Sequence, residues 1–238
     1  MMTKVNFEET FEIYLFTKKL EGENYSKLSE FLSFLKFNKV NMPYMFSYVA
    51  KSGEGLIPDM SLNENILMNF SPNSLTASKE IQFQDFLKEN SNIHLDKLYR
   101  KILHPNDLPE HSDAQMKKLT SLIKSVIFEG QFIFLEEPEH DLDSDSIELF
   151  IHVLKEHMTR NKQNVFIFSH NMNLWMPYVN LHVKREKDFS FSTDRIYKNW
   201  KWKKEKEIFY NPKKIEKAAS GELLFHIPAK KSDKKTAA

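Results

Sequence analysis

The sequence predicts an α/β domain built on a parallel sheet, and three observations predict it. Residues 132–135 (FIFL) and 165–168 (VFIF) are apolar without relief, as strands buried on both faces must be. Each run follows a segment with apolar residues at helical spacing, so helices alternate with strands as in βαβ crossovers. Both runs end in polar groups, Glu136–Glu137 and Ser169–His170. Open α/β sheets collect functional side chains at such carboxyl ends.

The elements follow in order. FEIYLF (11–16) reads as the first strand from its aromatic and β-branched content. The polar turn TKKLEGENYSK leads into a helix from Ser26 to Phe37, set by Leu28, Phe31, Leu32 and Leu35. FSYVA (46–50) is a second short strand. Glycine and proline mark the next loop, and Ser61 is placed to cap a short helix through Met68. Residues 69–112 are polar with helical patches and read as a small, mostly α-helical insertion. Met116, Leu119, Leu122, Ile123, Val126 and Ile127 form one helical stripe, which Gly130 breaks ahead of the 132–135 strand. Asp143 or Ser144 then caps a helix whose core face is Ile147, Phe150, Ile151, Leu154 and Met158. Residues 1–68 and 113–185 thus make the core, and 186–238 a C-terminal extension. Within that extension KDFSFSTDRIYKNWKWKKEKEIFY (187–210) alternates as a β-hairpin, and KKSDKKTAA has the composition of a disordered basic tail.

Composition narrows the function classes. A net charge of +1 over 238 residues excludes a strong global field for nucleic acid or acidic lipid, so any basic site is local. No cysteine is present, which excludes disulfides, thiol nucleophiles and zinc–thiolate sites and suits a reducing cytoplasm. MMTKVNFEETFE lacks the apolar core of a signal peptide, and no apolar stretch approaches the roughly 20 residues that cross a bilayer. The expected location is the cytoplasm, with a membrane met only through a partner. Glycine numbers only five: Gly22, Gly53, Gly55, Gly130 and Gly221. Loops that wrap phosphates use glycine for close backbone approach, and this chain has little of it.

The motifs, in their order, resemble the nucleotide-binding domain of ABC transporters over residues 10–185. FIFLEEPEHDLD looks like that family's Walker B strand and D-loop, FIFSH like its H-loop, and LIPDMSLNENILM like the stretch after its Q-loop. HSDAQ (111–115) stands where the signature LSGGQ belongs. The resemblance implies an ABC-type P-loop NTPase-like fold whose cofactor is Mg-ATP, expected here to bind weakly or not at all. It gives Glu136 the Mg²⁺-associated acid, Glu137 the catalytic base, His170 the switch histidine and Asp143 the D-loop aspartate. Ser112 and Gln115 become the nucleotide-facing signature residues, and Lys51 takes the place of the Q-loop glutamine. In the Walker A position Gly22 falls on a loop glycine, Tyr25 on the lysine and Ser26 on the Mg²⁺-binding hydroxyl.

The departures from the family pattern carry as much information. A phenol at Tyr25 cannot neutralise phosphate charge at neutral pH as the lysine does. Asp113 and Ala114 replace two signature glycines. The signature faces the γ-phosphate of a second subunit in ABC dimers, where a carboxylate at close range costs about 1–4 kcal/mol. The expected function is a degenerate ABC-type subunit, weak or inactive in hydrolysis, that serves as a scaffold or regulatory part of a transporter or other membrane-associated complex. Its partners would be an active ABC ATPase, a permease or another subunit. The rival expectation is an active ATPase in which Lys18, Lys19 or Lys27 grips phosphate, DNA-associated in the manner of RecF-like and phage-defence ATPases. Nucleic acid is the less favoured partner: Trp200 and Trp202 among lysines could stack bases, but a hairpin with one aromatic face on the core accounts for them too. Glu139, His140, Asp141 and Asp143 could suggest a metal cluster, the three carboxylates offering oxygen to a hard cation, but they follow no calcium-loop spacing.

Overall fold

A computed structural model of the chain describes residues 5, 7, 11–16, 26–40, 46–68, 92–128, 130–186, 188 and 190–196. Gly22 and Tyr25, residues 69–91 of the insertion and the Trp200–Tyr210 arm lie outside the described residues. Among those described, six strands form one sheet: β1 (Ile13–Phe16), β2 (Phe46–Val49), β3 (Phe132–Glu136), β4 (Asn164–Phe168), β5 (Leu181–Arg185) and β6 (Phe191–Arg195). Their order is β2-β3-β4-β1-β5-β6. The first five run parallel and β6 pairs antiparallel on β5. The helices are α1 (Lys27–Phe37), α2 (Leu62–Leu67), α3 (Ile93–Tyr99), α4 (Ala114–Ile127), α5 (Ser144–Asn161) and α6 (Met172–Trp175).

Strand alternation sorts the core by chemistry. Ile13, Leu15, Ile133, Leu135, Val165 and Ile167 point to one face and join the buried residues of α2, α3, α4 and α5. Tyr14, Phe16, Phe132, Phe134, Phe166 and Phe168 point to the other, under Phe31, Phe34 and Leu35 of α1. One face is aliphatic and carries several helices; the other is aromatic. Rings fill the second face by stacking, Phe31 on Phe134 at 4.7 Å and Tyr14 on Phe166 at 4.8 Å. Such pairs contribute about 0.5–1.5 kcal/mol each beyond burial.

Local chemistry places the helix starts. Ser26 caps α1 by accepting from the Ser29 amide at 3.1 Å, and Ser61 with Glu64 forms a reciprocal capping box on α2. Asp113 caps α4 and Asp143 caps α5. The described part of the insertion, 92–112, holds α3 and a 3-10 turn, and its Leu95, Leu98, Tyr99 and Ile102 belong to the aliphatic core. Of the hairpin expected within 187–210, residues 197–210 lie outside the described residues. Its described arm, β6, pairs back onto β5 with Leu181 opposite Arg195 and Arg185 opposite Phe191. LHVKR shows only two apolar residues, so β5 was not expected; Leu181 and Val183 nevertheless alternate onto the aromatic face beside Phe191.

The turn after β2 lies directly on α4. Gly53 has φ +67, and a Cβ there would stand 3.1 Å from the Lys118 amide nitrogen and 3.2 Å from Lys117 C and Lys118 Cα. The Ser121 hydroxyl donates to the Gly53 carbonyl at 3.2 Å. Gly53→Ala therefore meets both a left-handed backbone and a backbone collision. It should destabilise the fold by about 1–3 kcal/mol, read as a lower urea midpoint at unchanged slope.

Candidate functional site

Parallel strands deliver their carboxyl ends to one edge, and there the two acids meet two lysines. Glu136 closes β3 and Glu137 follows with φ 41, a left-handed conformation that a non-glycine residue adopts only when its surroundings hold it. One such hold is the Glu137 amide, which donates to the Phe168 carbonyl at 2.7 Å and ties the β3 loop to the end of β4. Lys27, the first residue of α1, places its ammonium 2.9 Å from Glu136 Oε1 and 2.8 Å from Glu137 Oε1, above the Phe168 ring. Lys51, just past β2, reaches Glu137 Oε2 at 2.9 Å. The Tyr48 hydroxyl donates to Glu136 Oε2 at 2.8 Å, and His170 Nε2 lies 3.3 Å from Glu137 Oε1.

The electrostatics follow from that geometry. Burial alone would raise the Glu137 carboxyl, but the hydrogen bonds and charges of Lys27 and Lys51 bring it down to about 2. Burial pulls the Lys27 amine down, yet Glu137 and Glu136 together hold it above the usual lysine value. Burial and the Glu136 hydrogen bond push the Tyr48 phenol far up, so it stays a donor. Two carboxylates and two ammonium groups cancel within the protein. All four carboxylate oxygens already have a donor within reach. A hard cation would bind through these same oxygens, each of which already accepts from the chain. The Ser26 hydroxyl serves its own helix as a cap.

The signature and D-loop positions form a second node, satisfied within the chain. Asp143 accepts from the Ser146 amide at 2.7 Å, from Lys101 Nζ at 3.0 Å and from Gln115 Nε2 at 2.9 Å. The Ser146 amide foremost, with Lys101 and Gln115, holds its carboxyl well below the usual range. Ser112 donates to the Leu108 carbonyl at 3.0 Å. Asp113, expected as a repulsive carboxylate, turns its oxygen to the Met116 amide at 2.7 Å.

Sequence reasoning missed two participants and gave two others different roles. Tyr48 and Lys118 were not singled out, and Lys27 was named only as a spare phosphate lysine. Glu139, considered as a cation ligand, instead accepts from the Ser169 hydroxyl and from the Trp175 indole at 2.8 Å. Ser169 in turn takes the Asn171 amide at 2.9 Å, so Glu139 braces the loop that carries His170. The available signal was a lysine inside the apolar stripe of α4 and another beside the capping serine of α1.

Solved structures share this architecture. The ATP-binding subunit of an ABC transporter matches with a TM-score of 0.53 and 14% identity, over 73% of this chain and 74% of that one. The fold is that of an ABC-transporter ATP-binding domain. The ATP-binding cassette MJ0796, in a dimeric post-hydrolysis state bound to ADP and Pi, matches with a TM-score of 0.51 and 12% identity over 79% of this chain and 87% of that one. Another dimeric structure of that bacterial ABC transporter cassette gives 0.51 and 12% over 74% and 82%. These identities establish the ABC fold and nothing finer. No curated protein matches the sequence.

A family model described as glycosyl hydrolase family 85 matches residues 81–225. That span and the ABC fold disagree, and the fold decides. The span omits β1, which sits between β4 and β5, and β2, which pairs with β3, so it is not a unit that could close its own sheet.

The depressed Glu137 carboxyl makes stability pH-dependent. Its folded value of about 2 lies below the unfolded 4.5, so its contribution is complete above about 4.5 and lost as pH falls through 2. Urea unfolding of the wild type should lose about 1–3 kcal/mol more between pH 5 and 2 than unfolding of Glu137→Gln. Parallel curves would remove the ion cluster as the cause.

Proposed function

We propose that the chain is a catalytically silent ABC-type subunit that acts as a scaffold or regulatory platform for protein partners. One observation carries the proposal: every oxygen of the acid pair is held by the chain's own donors, with Lys27 and Lys51 supplying the positive charge. A general base works best with a proton affinity near the operating pH. Glu137, at about 2, is far from that range. A divalent ion entering the cluster would first have to break ion pairs that already balance. The Ser112, Gln115 and Asp143 side chains, which the family resemblance turns toward nucleotide, are also committed within the chain.

The partner follows from the resemblance and from the dimeric cassettes that share the fold: an active ABC ATPase, a permease or another subunit of a membrane-associated complex. Among the described residues no helix is long and apolar enough to cross a membrane, so the platform would reach a bilayer through that partner from the cytoplasmic side. The rival reading, an active ATPase, draws on Lys27: it stands in the first turn of α1, where a phosphate lysine would be useful, and touches both acids.

Calorimetric titration with MgATP and a phosphate-release assay separate the two. The silent reading expects no saturable binding up to millimolar nucleotide and no turnover above that of Glu137→Gln. Saturable binding, with turnover abolished in Glu137→Gln, establishes the active enzyme instead.

A further inference from the structure

Lys118 is wholly buried within α4, on a helix face that otherwise packs Leu119, Leu122 and Ile123. Lysine is almost never buried unless its charge is compensated. Here the ammonium donates to the carbonyls of Ala50 at 2.8 Å, Lys51 at 3.0 Å and Glu136 at 3.2 Å, three acceptors for three protons. Ala50 and Lys51 begin the turn after β2, and Glu136 ends β3. Burial lowers the amine to about 8, against the pull of Glu139, Asp141, Glu136 and Glu137, so it remains largely an ammonium at neutral pH. The Gly53 backbone resting on Lys117 and Lys118 and the Ser121 hydroxyl on the Gly53 carbonyl fasten the same turn to the same helix.

We infer that Lys118 is the positioning residue of the charge cluster: its buried ammonium fixes the backbone of Lys51 and Glu136 so that the Lys51 side chain closes on Glu137. The inference rests on the reading of the acid pair as closed by Lys27 and Lys51, and it names what maintains that closure. An apolar side chain would fill the same space and leave the three carbonyls without this donor. The β2 turn would then be free to shift, and Lys51, half exposed at the rim, would be the first group to leave its carboxylate.

Amine labelling with an acetylating ester, quantified residue by residue by mass spectrometry, tests this on the full chain. An ammonium held by a carboxylate is shielded from such a reagent. In Lys118→Met, Lys51 should label several-fold faster than in the wild type, while exposed Lys97 on α3 keeps its rate. An unchanged Lys51 rate in folded Lys118→Met overturns the inference. Lys118→Gln, which keeps two donors, takes the place of the methionine variant if that one does not fold, under the same criterion. Lys118→Arg, which restores a cation with several donors, should return Lys51 toward the wild-type rate. Glu137→Gln is the control for the underlying reading: if it leaves Lys51 labelling unchanged, the closed pair itself is wrong. If it accelerates labelling and Lys118→Met does not, only the role of Lys118 falls.

Discussion

Two adjacent carboxylates at the end of a buried strand repel each other and need positive charge nearby to remain ionised together. That constraint organises this end of the molecule. The charge comes from Lys27 at the start of α1 and Lys51 after β2, so three elements that are remote in sequence meet at Glu136 and Glu137. The arrangement is balanced within the chain: two ammonium groups face two carboxylates.

The sheet beneath it is suited to the task by its sorting of side chains. Phenylalanine accounts for 20 residues and glycine for five. Most of the buried rings described lie on the α1 face, where stacking and edge contacts lock α1 against β1, β3 and β4. That packing sets the position of Lys27, because Lys27 is the first residue of the same helix. On the opposite face the aliphatic core sets α4, and with it Lys118. The two lysines therefore approach the ends of β3 from opposite faces of one sheet, each located by a different kind of packing.

The strands β1, β3 and β4 and the helices α1, α4 and α5 were legible in the sequence because each combines a continuous apolar run or stripe with a polar cap. The weak strand β5 was not, since LHVKR buries only alternate residues. The acids and His170 were legible from their position after apolar strands. Their partners were less so: Lys27, Tyr48 with Lys51, and Lys118 come from three segments, and only the sheet order brings them to one edge. Asp113 shows the limit from the other side. As a letter in HSDAQ it reads as a stray negative charge, but as the residue before a helix it is a cap, and the helix amide claims its oxygen.

The antiparallel course of β6 has a consequence for the polarity of the molecule. A parallel partner would have carried the chain back toward the acidic edge. Instead the last described residue, Ile196, donates its amide to the Asn180 carbonyl ahead of β5, at the amino-terminal pole of the parallel strands. Five residues of strand, about 17 Å, separate the two poles. A dye or affinity handle joined near Ile196 would thus start on the far side from Glu137 and leave the lysine-bound rim open to inspection.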